Sequence, residues 1–170
     1  APSIVLRDAD RSHLLGTLPF ALTASQERSV DEILSDIARP HPMNRLLQGD
    51  VGSGKTVIAA IAAAAAARAG FQTAFLAPTE ILARQHYRTL EKILSPLPTE
   101  WNARLGLLIG GLKPKEKKDV VSRIGEGAVS LVIGTHALIE DRVAFHRLGL
   151  IVVDEQHRFG VSQRAALAAR

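Results

Sequence analysis

The sequence carries the stretch Gly49-Asp50-Val51-Gly52-Ser53-Gly54-Lys55-Thr56. This stretch fills every defined position of the pattern G-x-x-x-x-G-K-[ST]. Its glycines allow backbone N–H groups to surround phosphate oxygens, and a helix that begins at its end adds partial positive charge. In this pattern Lys55 reaches the β- and γ-phosphates, and the hydroxyl of Thr56 binds Mg²⁺. Residues 49–56 therefore predict a site for a nucleoside triphosphate and Mg²⁺.

Short β-rich runs alternate with longer helical runs around this motif. The predicted strands cover residues 45–48, 72–77, 104–109, 130–133 and 148–153, and the predicted helices, with their caps, cover residues 23–38, 55–69, 79–94, 114–124 and 160–170. Several of the strand runs are continuously apolar, which is typical of strands buried on both faces. The pattern therefore predicts an α/β domain with a mainly parallel sheet and helices on both faces. Ligands of such sheets bind at the carboxyl ends of the strands.

A second chemical signal follows the last predicted strand, where an apolar run leads into Asp154 and Glu155. An aspartate in this position is the second protein ligand of Mg²⁺ in phosphate-loop enzymes. The neighbouring Glu155 can orient or activate the attacking water. Because transfer to another substrate needs no activated water, this pair favours hydrolysis over kinase chemistry. The predicted catalytic residues are Lys55, Asp154 and Glu155, and the predicted metal ligands are Thr56 and Asp154.

Composition and charge exclude several other classes of protein. The chain contains no cysteine, which excludes a disulfide framework, a thiolate zinc site and a cysteine nucleophile. The longest apolar helical run, Val57–Ala67, is too short to cross a bilayer, and the charged residues 1–16 do not resemble a signal peptide. We therefore expect no membrane partner and a cytoplasmic location. The formal net charge of +4 is weak support for a polyanionic partner.

Four further motifs occur in the order found in superfamily 2 helicases and translocases, and the chain resembles that family. Asp154-Glu155-Gln156-His157 resembles motif II, and Ala77-Pro78-Thr79-Glu80-Ile81-Leu82-Ala83 resembles motif Ia. Gly110-Gly111 stands where the glycines of motif Ib fall, and Gly134-Thr135-His136-Ala137-Leu138 resembles the next nucleic-acid-contacting motif. The similarity extends from about Leu18 to Arg164, which is nearly the whole chain.

The resemblance implies a RecA-like fold that binds ATP and Mg²⁺. It implies that Gln26 reads the adenine and that Gln156 and His157 couple motif II to the moving parts of the motor. Two roles stay open for Gln26, because the same residue can complete a capping box with Thr23. Two also stay open for Phe20, which packs either on the adenine or against the following helix.

The resemblance also implies contacts with a nucleic-acid backbone. The predicted contact residues are Pro78, Thr79, Gly110, Gly111, Gly134, Thr135 and His136. Thr79 caps a helix whose free N–H groups can hold a phosphate, and Gly134 and Thr135 are small residues where a DNA backbone can approach. An ordinary strand-to-helix connection is the alternative reading of Pro78 and Thr79. Contacts of this kind hold the backbone without reading sequence.

Within superfamily 2, residues 43–56 and 154–160 resemble the bacterial DNA helicases that drive branch migration at stalled forks and Holliday junctions. His157 after Gln156 favours this group over the transcription-repair coupling translocases, which remain an alternative. A non-catalytic, nucleotide-dependent DNA-binding module is a second alternative. The resemblance implies an ATP-dependent helicase of DNA repair and recombination, with branched duplex DNA as partner.

The same resemblance implies a division of the chain. Residues 1–22 are expected to lead in from a preceding domain or linker, and residues 23–170 are expected to form the first RecA-like motor domain, truncated at its C-terminus. The partner domains in the same full-length chain would be a second motor domain and an N-terminal wedge domain. Since arginine fingers come from the second motor domain, we expect this chain alone to bind nucleotide but barely hydrolyse it.

Overall fold

The structure is a computed structural model that describes residues 16, 22–38, 45–49, 55–97, 104–140 and 143–154. In chain order its elements are α1 (Ala24–Ala38), β1 (Arg45–Gly49), α2 (Lys55–Arg68), β2 (Gln72–Leu76), α3 (Glu80–Leu94), β3 (Leu105–Leu108), α4 (Pro114–Gly125), β4 (Leu131–Gly134), α5 (Ala137–Glu140) and β5 (Leu148–Asp154). Each strand expected from the apolar runs is present, with bounds that differ by one or two residues at most. The expected helix over residues 160–170 lies outside the described residues.

The strands form one parallel sheet in the order β1-β5-β2-β4-β3. The chain moves outward from β1 to β2 and β3, and then returns through β4 to β5. Because crossovers between parallel strands are right-handed, this reversal places α2 and α3 on one face of the sheet and α4 on the other. The predicted α/β architecture with helices on both faces is confirmed.

Both faces of the sheet are buried in apolar clusters. On β2, Phe75 belongs to the cluster beneath α2 and α3, whereas Ala74 and Leu76 belong to the opposite cluster beneath α4. On β5, Val152 and Val153 divide in the same way. Alternate residues therefore face different apolar layers, which is why the strands read as continuous apolar runs.

Helix α2 is apolar on all sides because it is covered on all sides. It packs against the sheet and also against both α1 and α3. The alanines from Ala62 to Ala66 are each at most 1% exposed. Small side chains allow the helix to approach the sheet closely, so the alanine-rich run serves packing. Gly70, with φ of 88°, adopts the left-handed conformation that ends this helix.

The helix boundaries follow the local signals in the sequence. Thr79 caps α3, because its Oγ1 accepts a hydrogen bond of 3.2 Å from the N–H of Leu82. Pro114 occupies the first turn of α4, where its missing N–H costs nothing. The single-turn helix α5 was not expected. None of the helices in the described ranges combines the length and apolarity that crossing a bilayer requires.

A buried amide joins three segments at the amino end of β2. The Nε2 of Gln72 donates to the carbonyl oxygens of Ile124 (2.9 Å) and Val129 (2.7 Å), and its Oε1 accepts from the N–H of Arg147 (2.8 Å). These bonds tie β2 to the end of α4 and to the segment that enters β5. The side chain is thus buried with its donors and its acceptor in use.

We predict that Gln72→Leu lowers the free energy of unfolding by about 2–4 kcal/mol, because buried backbone groups lose their partner. Urea denaturation of wild type and variant measures the difference. An unchanged urea midpoint would show that these hydrogen bonds make no net contribution to the free energy of unfolding.

The adjacent Thr73 offers a matched comparison with the opposite sign. Its Oγ1 is buried and has no hydrogen-bond partner within the described part of the chain. Thr73→Val removes that hydroxyl at nearly constant shape, so we expect the free energy of unfolding to rise by about 1 kcal/mol. A loss of stability in the same urea titration would contradict the assignment of an unpaired hydroxyl.

Candidate functional site

The phosphate-loop motif begins at the carboxyl edge of the sheet, beside the predicted Mg²⁺ carboxylate. In the pairing of β1 with β5, Gly49 lies directly opposite Asp154. The chain leaves β1 after Gly49, and α2 begins at Lys55 as the motif requires. Two residues that are far apart in sequence are thereby brought together by the register of one pair of parallel strands.

Several predicted site residues fall outside the described residues. They are Phe20, Asp50, Val51, Gly52, Ser53, Gly54, Glu155, Gln156 and His157. Their assignments as nucleotide-binding, water-activating and coupling residues stay predictions.

Thr56 and Asp154 have the chemistry of a Mg²⁺ site. Both residues are buried, Thr56 on the first turn of α2 and Asp154 at the end of β5. A hydroxyl and a carboxylate are hard oxygen ligands, and Mg²⁺ in nucleotide sites is held by one or two such groups with phosphate oxygens and waters. The residues present therefore fit a Mg²⁺ ion that arrives with a triphosphate.

Sequence reasoning missed His86, which contacts Asp154. The Nε2 of His86 lies 3.4 Å from the Oδ2 of Asp154. His86 is on α3, and its ring packs against that of Phe75 with 4.9 Å between ring centroids. The helical period could have revealed it, because His86 stands three residues after the buried Ala83 and four before the buried Leu90. A histidine at a core position of an amphipathic helix is a signal for a buried polar partner.

A second site lies at the ends of β2, β3 and β4. It is a cavity of about 390 Å³, open to solvent, where the segments that follow these three strands meet. Its lining residues are Pro78, Thr79, Glu80, Gly110, Lys117, Thr135, His136 and Ala137. The structure thus brings residues of three separate sequence motifs to one surface, together with a lysine from α4.

Glu80 connects two of these motifs and was not singled out from the sequence. Its Oε1 accepts a hydrogen bond of 2.8 Å from the N–H of Gly111. A Cβ atom at Gly111 would lie 2.8 Å from the other carboxylate oxygen, so a side chain there would displace the Glu80 carboxylate. Glu80 therefore fastens the first turn of α3 to the loop that follows β3.

Gly134 has a steric role inside the fold. It is buried at the end of β4, and a Cβ atom there would lie 2.5 Å from the carbonyl oxygen of Leu108 and 2.8 Å from the side chain of Leu138. Packing against β3 and α5 explains the absence of a side chain at this position. The next two residues, Thr135 and His136, line the cavity. The expected contact of Gly134 itself with nucleic acid stays a prediction.

Gln26 forms the capping box that was one of its two expected roles. The N–H of Thr23 donates to the Oε1 of Gln26 (2.9 Å), and the N–H of Gln26 donates to the Oγ1 of Thr23 (3.1 Å). Both bonds satisfy amides at the start of α1 that lack partners within the helix. The amide nitrogen of the side chain is not used by this box, so the expected adenine contact stays a prediction.

Comparisons with known proteins agree on one family. A family model described as DEAD/DEAH box helicase matches residues 23–169. The ATP-dependent DNA helicase RecG of Streptococcus pneumoniae is 56% identical over 151 residues, which cover 89% of this chain and 22% of that protein. The protein of the same name from Aquifex aeolicus is 46% identical over 167 residues, which cover 98% of this chain and 21% of that protein.

A solved structure gives the same result. The structure of RecG bound to a three-way DNA junction matches with a TM-score of 0.78 and 47% sequence identity, and the match covers 93% of this chain and 21% of that chain. The chain therefore spans about a fifth of the length of the relatives it matches. The predicted RecA-like α/β fold is confirmed by this likeness.

We predict that Gln26→Glu separates the two roles of Gln26. Glutamate also completes a capping box, whereas its carboxylate cannot donate a hydrogen bond to a base. The stability of the protein should change by less than about 0.5 kcal/mol, while ATP affinity falls about tenfold and GTP affinity does not. Calorimetric titration with both nucleotides measures this. Equal ATP affinity in wild type and variant would leave Gln26 as a helix cap alone.

Proposed function

The chain belongs to the DEAD/DEAH box helicase family, and we propose that it is the ATP-binding motor domain of a RecG-type DNA helicase. The resemblance to branch-migrating helicases that the motifs indicated is supported by RecG relatives at 46–56% identity. In this proposal residues 23–170 form the first motor domain, and residues 1–22 lead into it. The protein acts in the cytoplasm.

One observation carries the proposal, which is the register that sets Gly49 opposite Asp154. It supports a single site in which the phosphate loop and Lys55 hold the β- and γ-phosphates while Thr56 and Asp154 hold Mg²⁺. The ion would neutralise the charge that develops on the phosphates during hydrolysis. Glu155, next along the chain from Asp154, orients the attacking water and accepts its proton.

The cavity at the ends of β2, β3 and β4 is proposed as the DNA contact. Lys117 supplies positive charge, and the hydroxyls of Thr79 and Thr135 are groups that bind phosphate oxygens. These groups recognise the backbone, so binding is independent of sequence and sensitive to salt. A protein that moves along DNA needs contacts of this kind, because each step presents a different base pair.

In the intact protein we propose that ATP hydrolysis drives branch migration of forked DNA and Holliday junctions during recombination and repair. A second motor domain would supply arginines to the γ-phosphate, and an N-terminal wedge domain would hold the branch point. The RecG structure described above is bound to a three-way DNA junction, which supports branched DNA as the partner. The RecG relatives favour this assignment over the transcription-repair coupling translocase.

We predict that two substitutions separate nucleotide binding from hydrolysis. Lys55→Ala should abolish ATP binding, because the phosphates lose their only lysine partner in the motif, without lowering thermal stability. Glu155→Gln should keep ATP binding and lower the hydrolysis rate of the intact protein on branched DNA about a hundredfold or more. Calorimetry and a phosphate-release assay measure the two effects. Unchanged hydrolysis in Glu155→Gln would favour a non-catalytic binding module.

We predict that Lys117→Ala weakens DNA binding to a similar degree for all duplex sequences. One lost phosphate contact should lower the slope of log affinity against log salt by about 1. Fluorescence anisotropy over a salt series measures the slope. Lys92→Ala is the matched control, because Lys92 is on α3 about 18 Å along the helix axis from Glu80 and the cavity. An equal slope change in both variants would argue against the cavity as the DNA contact.

A further inference from the structure

His86 touches the nucleotide site from a helix that also borders the proposed DNA contact. Its side chain is 12% exposed, and that of Asp154 is 5% exposed. A polar side chain that is largely buried is unfavourable unless it is hydrogen-bonded. The neighbouring inward positions of α3, Ala83 and Leu90, are apolar, so His86 is the exception on this face of the helix. The contact with the Asp154 carboxylate gives the physical reason for a histidine at this core position.

The position of the His86 ring is set by the sheet beneath it. The ring packs on Phe75 with an angle of 47° between the two planes. Phe75 pairs with Val152 in the register of β2 and β5, two residues before Asp154. The contact with Phe75 therefore places the imidazole near the end of β5. Its Nε2 lies beside the Oδ2 of Asp154. Because the Asp154 carboxylate is buried, a hydrogen bond that it accepts meets little competition from water.

Helix α3 reaches both sites as one continuous element of 15 residues. At its amino end Thr79 caps the helix and Glu80 holds the N–H of Gly111, both at the cavity. At a rise of about 1.5 Å per residue, His86 lies about 9 Å from Glu80 along the axis. A shift of α3 at the cavity therefore moves His86 relative to Asp154. The distance of 3.4 Å is already at the long end for a hydrogen bond, so a small shift is enough to make or break it.

We propose that His86 is a positioning residue that orients the Asp154 carboxylate and links it, through helix α3, to the DNA contact. This inference rests on the proposed function, because it assigns Asp154 to Mg²⁺ and the cavity to DNA. It adds a residue that none of the helicase motifs in the sequence analysis assigned to the site. By linkage, DNA that shifts α3 changes the affinity for Mg²⁺–nucleotide, and Mg²⁺–nucleotide changes the affinity for DNA by the same factor.

The test compares His86→Leu with His86→Gln in the intact protein. Leucine packs on Phe75 but cannot bond to Asp154, whereas the amide of glutamine can place a donor near the position of Nε2. Affinity for a non-hydrolysable ATP analogue is measured with Mg²⁺ and with a chelator. We expect His86→Leu to lose about tenfold in affinity with Mg²⁺ and nothing with the chelator, and His86→Gln to retain most of the affinity.

The link to DNA has its own readout. Affinity for forked DNA is measured with and without the Mg²⁺–nucleotide analogue, and the ratio gives the coupling factor. We expect a wild-type factor different from one, a factor close to one in His86→Leu, and recovery in His86→Gln. Thr89→Ala, on the exposed side of the same helix, is the matched control and should behave as wild type.

Three outcomes would overturn the inference. The first is a His86→Leu variant whose nucleotide affinity depends on Mg²⁺ as in the wild type. The second is a coupling factor of one in the wild type. The third is an equal loss of nucleotide affinity in His86→Leu and His86→Gln with a lowered unfolding temperature, which would mean that His86 only packs. Lys55→Ala is included to keep two failures apart. If it abolishes nucleotide binding while His86→Leu has no effect, only the role of His86 is wrong. If Lys55→Ala binds nucleotide normally, the proposed function itself fails.

Discussion

The parallel pairing of β1 with β5 is the contact on which the nucleotide site depends. They are the first and the last strand of the described residues, and their register sets Gly49 beside Asp154. Because parallel strands end at the same edge, the loop after β1 and the carboxylate after β5 necessarily share one rim. A slip of one residue would turn every side chain of β5 to the other face and move Asp154 away from the phosphate loop. The filling of the two apolar layers, with Val152 in one and Val153 in the other, favours that register.

The two apolar layers keep this rim in place. Helix α2 starts at Lys55, where the phosphate-loop motif ends, and lies on the sheet along its row of small alanines. On the far side, α4 and β3 bring Lys117 and Gly110 to the second cavity. The sheet therefore presents two chemically different regions along one edge, the hydroxyl of Thr56 and the carboxylate of Asp154 beside β1 and β5, and the cavity beyond β2 and β4 that we propose as the DNA contact.

Helix α3 contacts both of these regions. At its amino end Thr79 caps the helix, and the carboxylate of Glu80 accepts a hydrogen bond from the N–H of Gly111. Two turns later the inward position is occupied by His86, which reaches Asp154 across β2. The neighbouring inward positions, Ala83 and Leu90, are apolar. The proposed role of α3 between the Mg²⁺–nucleotide site and the DNA contact accounts for a polar residue there.

The elements and the chemistry of the nucleotide site followed from local signals. The motif at residues 49–56, the apolar strands and the caps at Thr23 and Thr79 each act over a few residues. The sequence alone therefore determined where most helices and strands begin, and it predicted a nucleotide site. The order β1-β5-β2-β4-β3, the contact of His86 with Asp154, the fastening of Gly111 by Glu80 and the packing role of Gly134 were decided only by the tertiary structure. These contacts join residues from separate strands and helices, and they depend on strand order and register. Both are properties of the packed sheet as a whole, because many distant side chains must fill the two apolar layers at once, and no local pattern of residues specifies that arrangement.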